Sequence, residues 1–258
     1  MIKYEVSRAN PRGFSKRNTQ AAIFTRAIKG AVFWPRMYKN YLVLRKLSRG
    51  EGMDLFGVAD IRLVKNEFAI SPATLQSLDR AVCLGLRISQ AVLSEMREKP
   101  TRLYFHHYKI INSLLDQAAL RLANFIQRKG YLALPVPATQ IIDWEKNLAH
   151  LSHRKLGVMA GLGWIGRNNL LVNERFGSQF RLVSVLTDMP LKTDKPVGKS
   201  CGKCRLCANV CPAQAIYEGP EDFDRDKCFQ KIKSFQAQRQ VEQFVCGVCV
   251  NVCRGGRK

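Results

Sequence analysis

Cys201-Gly202-Lys203-Cys204-Arg205-Leu206-Cys207-Ala208-Asn209-Val210-Cys211-Pro212 is the stretch from which the chain is read. Three cysteines at two-residue gaps, a fourth after a three-residue gap and a proline behind it form a run that binds pairs of cubic iron–sulfur clusters. The spacing has a physical sense: three thiolates on one tight loop grip three irons of a cube, and the extra residue turns the fourth toward a second cube. A second run, Cys246-x2-Cys249-x3-Cys253, repeats the last three members, with its first member displaced upstream to Cys228 by an insertion. Pseudo-twofold pairing then assigns Cys201, Cys204, Cys207 and Cys253 to one [4Fe–4S] cluster and Cys211, Cys228, Cys246 and Cys249 to the other. Zinc is the alternative for eight cysteines, but zinc sites use separated Cys-x2-Cys knuckles rather than three thiols on one loop. The ninth cysteine, Cys83, stands alone in an apolar run and reads as a small core residue.

Two clusters in one small, bacterial-ferredoxin-like module form a wire, and a wire needs a donor and an acceptor. The formal net charge of +22 suits an acidic donor such as a ferredoxin or flavodoxin, drawn in by electrostatic steering. Half of that excess lies in residues 1–50, which hold 12 Lys or Arg against the single acid Glu5. There Ala21, Ile23, Phe24, Ala27, Ile28, Ala31 and Val32 approximate one helical face ending near Trp34-Pro35, opposite Arg26 and Lys29. Such a helix docks on the main domain or associates with an anionic membrane surface, nucleic acid or partner protein. No apolar run approaches the roughly eighteen residues that span a bilayer, and no cleavable leader is recognisable, so a soluble cytoplasmic protein is expected.

Three regions follow: a basic extension over 1–50, an α/β (α+β) domain over 51–196 and a double-cluster ferredoxin-like domain over 197–258. In the middle region, 54–61 and 81–86 are short apolar runs that predict buried strands, with Pro72 opening a helix between them. The 3.6-residue spacing of Ile111, Leu114, Leu115, Ala118, Leu122, Phe125 and Ile126 predicts a helix over 110–129, stopped by Gly130 and followed by a strand over 131–135. After a helix over 154–160, Gly161-Leu162-Gly163-Trp164-Ile165-Gly166-Arg167-Asn168-Asn169 reads as a glycine-rich loop feeding a hairpin made of 170–172 and 180–186. Residues 192–199 read as the linker into the cysteine region.

The segment from Ala160 to Asn168, the stretch to Leu186-Thr187-Asp188, the Cys201 run, Cys228 and the Cys246 tail together resemble the epoxyqueuosine reductase family. More distantly they resemble the iron–sulfur regions of cobalamin-dependent reductive dehalogenases. The resemblance spans about 51–253. It implies an iron–sulfur oxidoreductase whose α/β domain cradles a corrinoid, with Gly163, Trp164, Gly166, Arg167 and Asn168 as contacts to cobalamin. Read without the family, those glycines form a tight turn and Trp164 is core. The family's Asp-Tyr-His segment corresponds to Tyr104-Phe105-His106-His107-Tyr108-Lys109, which has no aspartate; His106 is the candidate to replace it as proton donor. His150 and His153 read as surface or capping residues. The helical-repeat region with which longer members hold tRNA is absent from this sequence, which weighs against tRNA as a substrate. A second reading is a non-catalytic electron-transfer subunit serving a partner enzyme.

Overall fold

A computed structural model describes residues 35–143 and 148–255. Helix α1 occupies 35–50 and is followed by β1 (Leu55–Asp60), α2 (Pro72–Leu75), β2 (Arg80–Arg87), α3 (Gln90–Ser94), α4 (Arg102–Arg128) and β3 (Ala133–Val136). Then come α5 (His153–Met159), β4 (Trp164–Ile165), β5 (Leu171–Val172) and β6 (Phe180–Thr187), and in the cysteine region α6 (Leu206–Asn209), α7 (Arg225–Ala237) and α8 (Val248–Val252). The helix read over 21–32 lies outside the described residues.

Strands β1, β2, β6 and β3 form one sheet in that order, every pair antiparallel. Period-two alternation sends Val58, Val82, Leu84, Val183 and Val185 to one face, where α1, α4 and part of the cysteine region pack, and Ala59, Ala81, Cys83, Leu182 and Leu186 to the other, where α5 packs. Both faces are covered, which is why the strands read as continuous apolar runs. Cys83 is buried among them, as expected of a small core residue. Gly57 lets α5 approach β1 closely, because a Cβ there would strike the carbonyl of Ala160.

Two elements differ from the sequence reading. Helix α4 begins eight residues earlier than the apolar spacing predicts, because Thr101 caps it by accepting from the backbone N–H of Tyr104. That adds Tyr104, Phe105 and Tyr108 to its buried face. The hairpin is also wired differently: β5 pairs with β4 inside the glycine-rich segment, while β6 crosses to the main sheet between β2 and β3. Leu170–Val172 is too short an apolar run to compete for β6 with the eight-residue β2 and the four-residue β3.

Within the stretch read as a basic extension, α1 buries Tyr41 and Leu44 in the main core. Asp194 ties this helix to the sheet, accepting from Tyr41 Oη at 3.0 Å, from the Val58 N–H at 3.0 Å and from Lys192 Nζ at 3.0 Å. Burial and the adjacent carboxylate push the Tyr41 hydroxyl up to about 12.

His153, expected at the surface, instead joins α5 to the sheet. Its Nε2 donates to the Pro137 carbonyl at 2.8 Å, so its Nδ1 accepts from Ser184 Oγ at 2.9 Å. Burial pushes this imidazole down to about 4. The unfolded chain takes up the same proton near 6.5, so the stabilisation is present above about 6.5 and is lost as pH falls toward 4. The His153 ring resonance is expected to hold its neutral position from about pH 8 to about pH 5; an NMR titration centred near the ordinary histidine value would contradict the network.

Candidate metal centre

The clustered cysteines lie near one another: Cys207 interacts with Cys201, Cys204 and Cys253, Cys228 with Cys246 and Cys211, and Cys249 with Cys246, Cys228, Cys211 and also Cys207. Short local turns present them: the Cys204 N–H donates to the Cys201 carbonyl at 3.1 Å, and the Ala215 N–H points at Cys211 Sγ at 3.5 Å. Gly247, at φ +79°, stands at the start of α8 between Cys246 and Cys249.

Burial pushes the thiols of Cys207, Cys228 and Cys246 up to about 11 and that of Cys249 higher still, with neighbouring sulfurs adding repulsion. Four thiolates cannot share such a pocket without positive charge among them. Among the described residues no three Cys, His, Asp or Glu side chains converge as ligands of one ion would. Three thiols on the one Cys201–Cys207 loop with a fourth before Pro212 suit an iron–sulfur cube, whereas zinc uses separated Cys-x2-Cys knuckles. The donor set therefore fits [4Fe–4S] clusters.

The glycine-rich segment that the resemblance places against a corrinoid is packed against the first cysteine loop. Arg167 donates from Nε to the Cys204 carbonyl at 2.9 Å and from Nη2 to the Gly202 carbonyl at 2.5 Å, and its Nη1 reaches Glu218 at 3.4 Å. A Cβ on Gly166 would lie 3.3 Å from Cys201 Sγ, and one on Gly163 would strike the Val172 carbonyl. Asn168 is buried and donates to Ser178 Oγ at 3.2 Å; Trp164 is buried on β4. From the other side, a turn at Gly177 lies against the Cys253 carbonyl, and Gln179 Nε2 donates to the Asn251 carbonyl at 2.8 Å.

The second group of cysteines abuts α4. The Tyr104 ring lies 2.5–2.7 Å from where a Cβ of Gly247 would stand, so the loop closes on α4 only with glycine there. Tyr104 is buried, and burial raises its hydroxyl well above the ordinary tyrosine range. One turn on, Tyr108 shares this face, its Oη 3.3 Å from Thr139 Oγ1. The Arg181 guanidinium stacks 4.5 Å from the Tyr108 centroid while donating to Asn112 Oδ1 at 3.1 Å and Thr139 Oγ1 at 2.7 Å. His106 is exposed, and two residues along a helix turn it about 200° from Tyr104. It does not face the cysteines, and the role expected for it is not supported by its position. His107 is taken up locally, its Nε2 accepting from the Ser89 N–H at 3.0 Å. The Tyr104–Tyr108 pair was legible as an i, i+4 pair only once Thr101 was recognised as the cap.

Residues 200–255 match the family described as 4Fe-4S double cluster binding domain. An epoxyqueuosine reductase of Cyclobacterium marinum is 34% identical over 251 residues, covering 85% of this chain and 80% of that protein. One of Leadbetterella byssophila is 34% identical over 103 residues, and there the match spans 36% of this chain and only 33% of the relative. Among solved structures, an epoxyqueuosine reductase bound to an epoxyqueuosine-modified tRNA stem loop superposes with a TM-score of 0.60 at 15% identity, covering 85% of this chain and 66% of that one. A catabolic reductive dehalogenase superposes with a TM-score of 0.64 at 19% identity, covering 86% and 32%. Among the described residues no helix is long and apolar enough to cross a membrane.

Arg167→Ala removes two charge-assisted hydrogen bonds from the Cys201–Cys207 loop, interactions of about 1.5–3 kcal/mol each. Iron release to a chelator is expected to become biphasic, with about half the iron lost at least tenfold faster than in the parent; a single unchanged phase would contradict the brace.

Proposed function

The chain belongs to the epoxyqueuosine reductase family, and we propose that it is an oxidoreductase whose two [4Fe–4S] clusters pass electrons into the α/β body beside the N-terminal turns of α4. The cluster held by Cys201, Cys204, Cys207 and Cys253 feeds the one held by Cys211, Cys228, Cys246 and Cys249. The observation that carries this reading is the Tyr104 ring seated against Gly247, inside the loop of the second set. Past Tyr104 the path reaches Tyr108, Arg181 and Thr139, and Thr139 is exposed. A substrate docked there meets a guanidinium and hydroxyls that orient polar groups. The substrate class in the family's name is an epoxide-bearing nucleoside. Two electrons, delivered singly by the clusters, and two protons from solvent convert an epoxide to an alkene and water. An acidic ferredoxin or flavodoxin is the donor that the chain's charge suits.

Cobalamin is the acceptor that the resemblance implies. The side chains of Arg167 and Asn168 in the Gly163–Asn168 segment are engaged by the protein and not offered to a corrinoid, so no step is routed through cobalt. For tRNA, the exposed cations Arg36, Lys39, Arg45, Lys46 and Arg49 on α1 offer phosphate contacts within the described fold, which favours a nucleic-acid substrate. The second reading, an electron-transfer subunit for a partner enzyme, is favoured by the absence of an aspartate from Tyr104 to Lys109.

Anaerobically purified, dithionite-reduced protein is expected to hold about eight irons, to be reoxidised by an epoxide-bearing nucleoside or a tRNA stem loop carrying it, and to yield the alkene by mass spectrometry. Tyr104→Ala is expected to slow reoxidation at least tenfold, about 1.4 kcal/mol in the barrier, with iron retained. Absence of product with an artificial donor present would overturn the enzyme reading in favour of the subunit.

A further inference from the structure

We propose that the indole N–H of Trp164 donates a hydrogen bond to a sulfur of the cluster held by Cys201, Cys204, Cys207 and Cys253, and thereby sets that cluster's reduction potential. The inference rests on the preceding assignment of those cysteines to a cluster. Trp164 is 6% exposed, and its Nε1 is, among the described residues, the one buried side-chain nitrogen or oxygen without a hydrogen-bond partner. A buried indole N–H is a donor only and ordinarily finds an acceptor, so an orphan marks a place where an acceptor belongs.

Strand geometry says where that acceptor lies. Trp164 pairs with Val172 and Ile165 with Leu171, and the Gly166 N–H continues the ladder by donating to the Leu170 carbonyl at 2.8 Å. Side chains alternate along such a ribbon, so Trp164 and Gly166 share a face. The vacant Cβ position of Gly166 on that face lies 2.5 Å from Val172 Cγ2 and 3.3 Å from Cys201 Sγ. Trp164 thus stands on the face turned to the first cysteine loop. It belongs to neither of the two apolar cores of the sheet, although it is as buried as their members. Gly166 has a matching role: any side chain there would fill the space between β4 and Cys201.

The acceptor that the chain itself does not provide is a cluster sulfur. A cube with four thiolates gains one negative charge on reduction, so a donor aimed at its sulfur favours the reduced form and raises the potential. Replacing the indole by a ring without N–H removes that preference while keeping most of the apolar volume.

The test is a redox titration of the holoprotein and of Trp164→Phe, followed by electron paramagnetic resonance. One of the two clusters is expected to become harder to reduce by up to tenfold in its equilibrium constant, 59 mV for a one-electron couple, while the other holds its potential and iron content is unchanged. Unchanged potentials for both clusters in an iron-replete variant would overturn the proposal. If the variant loses iron, the parent protein labelled with 15N-indole tryptophan decides by pulsed resonance: a nitrogen coupling to a reduced cluster supports the bond, and its absence overturns it. A parent protein with no cluster signal would instead refute the cluster assignment.

Discussion

The desolvated thiols of Cys207, Cys228, Cys246 and Cys249 resist ionising beside their neighbours, and that constraint governs this chain. Burial and mutual repulsion raise the thiols of Cys207, Cys228, Cys246 and Cys249 far above neutral pH, so the module closes as a liganding shell only around cations. Iron in two cubes supplies the charge, and metal binding becomes folding energy for the region. Phe235, Val241, Val245 and Val250 extend the main core into the module, which is therefore an outgrowth of the sheet's α4 face.

Each cluster loop is consequently held by a different part of the body. The first set is braced by the β4–β5 ribbon through Arg167 and Gly166, and by the Gly177 turn behind Cys253. The second leans on α4 through Tyr104 and Gly247. These two supports are separate elements of one antiparallel fold, so each cysteine set leans on its own part of the body. The glycine-rich segment packs against the first cysteine loop, and the Tyr104–Tyr108–Arg181 face against the second.

Much of this was legible in the sequence. Strands β1 and β2, the body of α4 and the double-cluster module follow from apolar periodicity and from cysteine spacing, both local signals. What escaped were pairings decided by competition across the chain. Leu171–Val172 lost β6 to two longer strands, and so the hairpin formed with Trp164–Ile165. His106 was named as the acid because the segment resembling the family's Asp-Tyr-His has no aspartate, and the face it takes depends on where Thr101 caps α4. His153 looked superficial because its partners, Ser184 and Pro137, are remote in sequence.

The central claim, that the two cysteine sets hold neighbouring cubes forming one wire, is tested most directly by electron paramagnetic resonance of the fully reduced protein. In the assignment the last cysteine of each run ligates the other cluster, which places the two cubes side by side, close enough for their spins to couple. A broadened, coupled spectrum that integrates to about two spins per chain is required. A single uncoupled signal of about one spin, or two signals that sum without interaction, would contradict it.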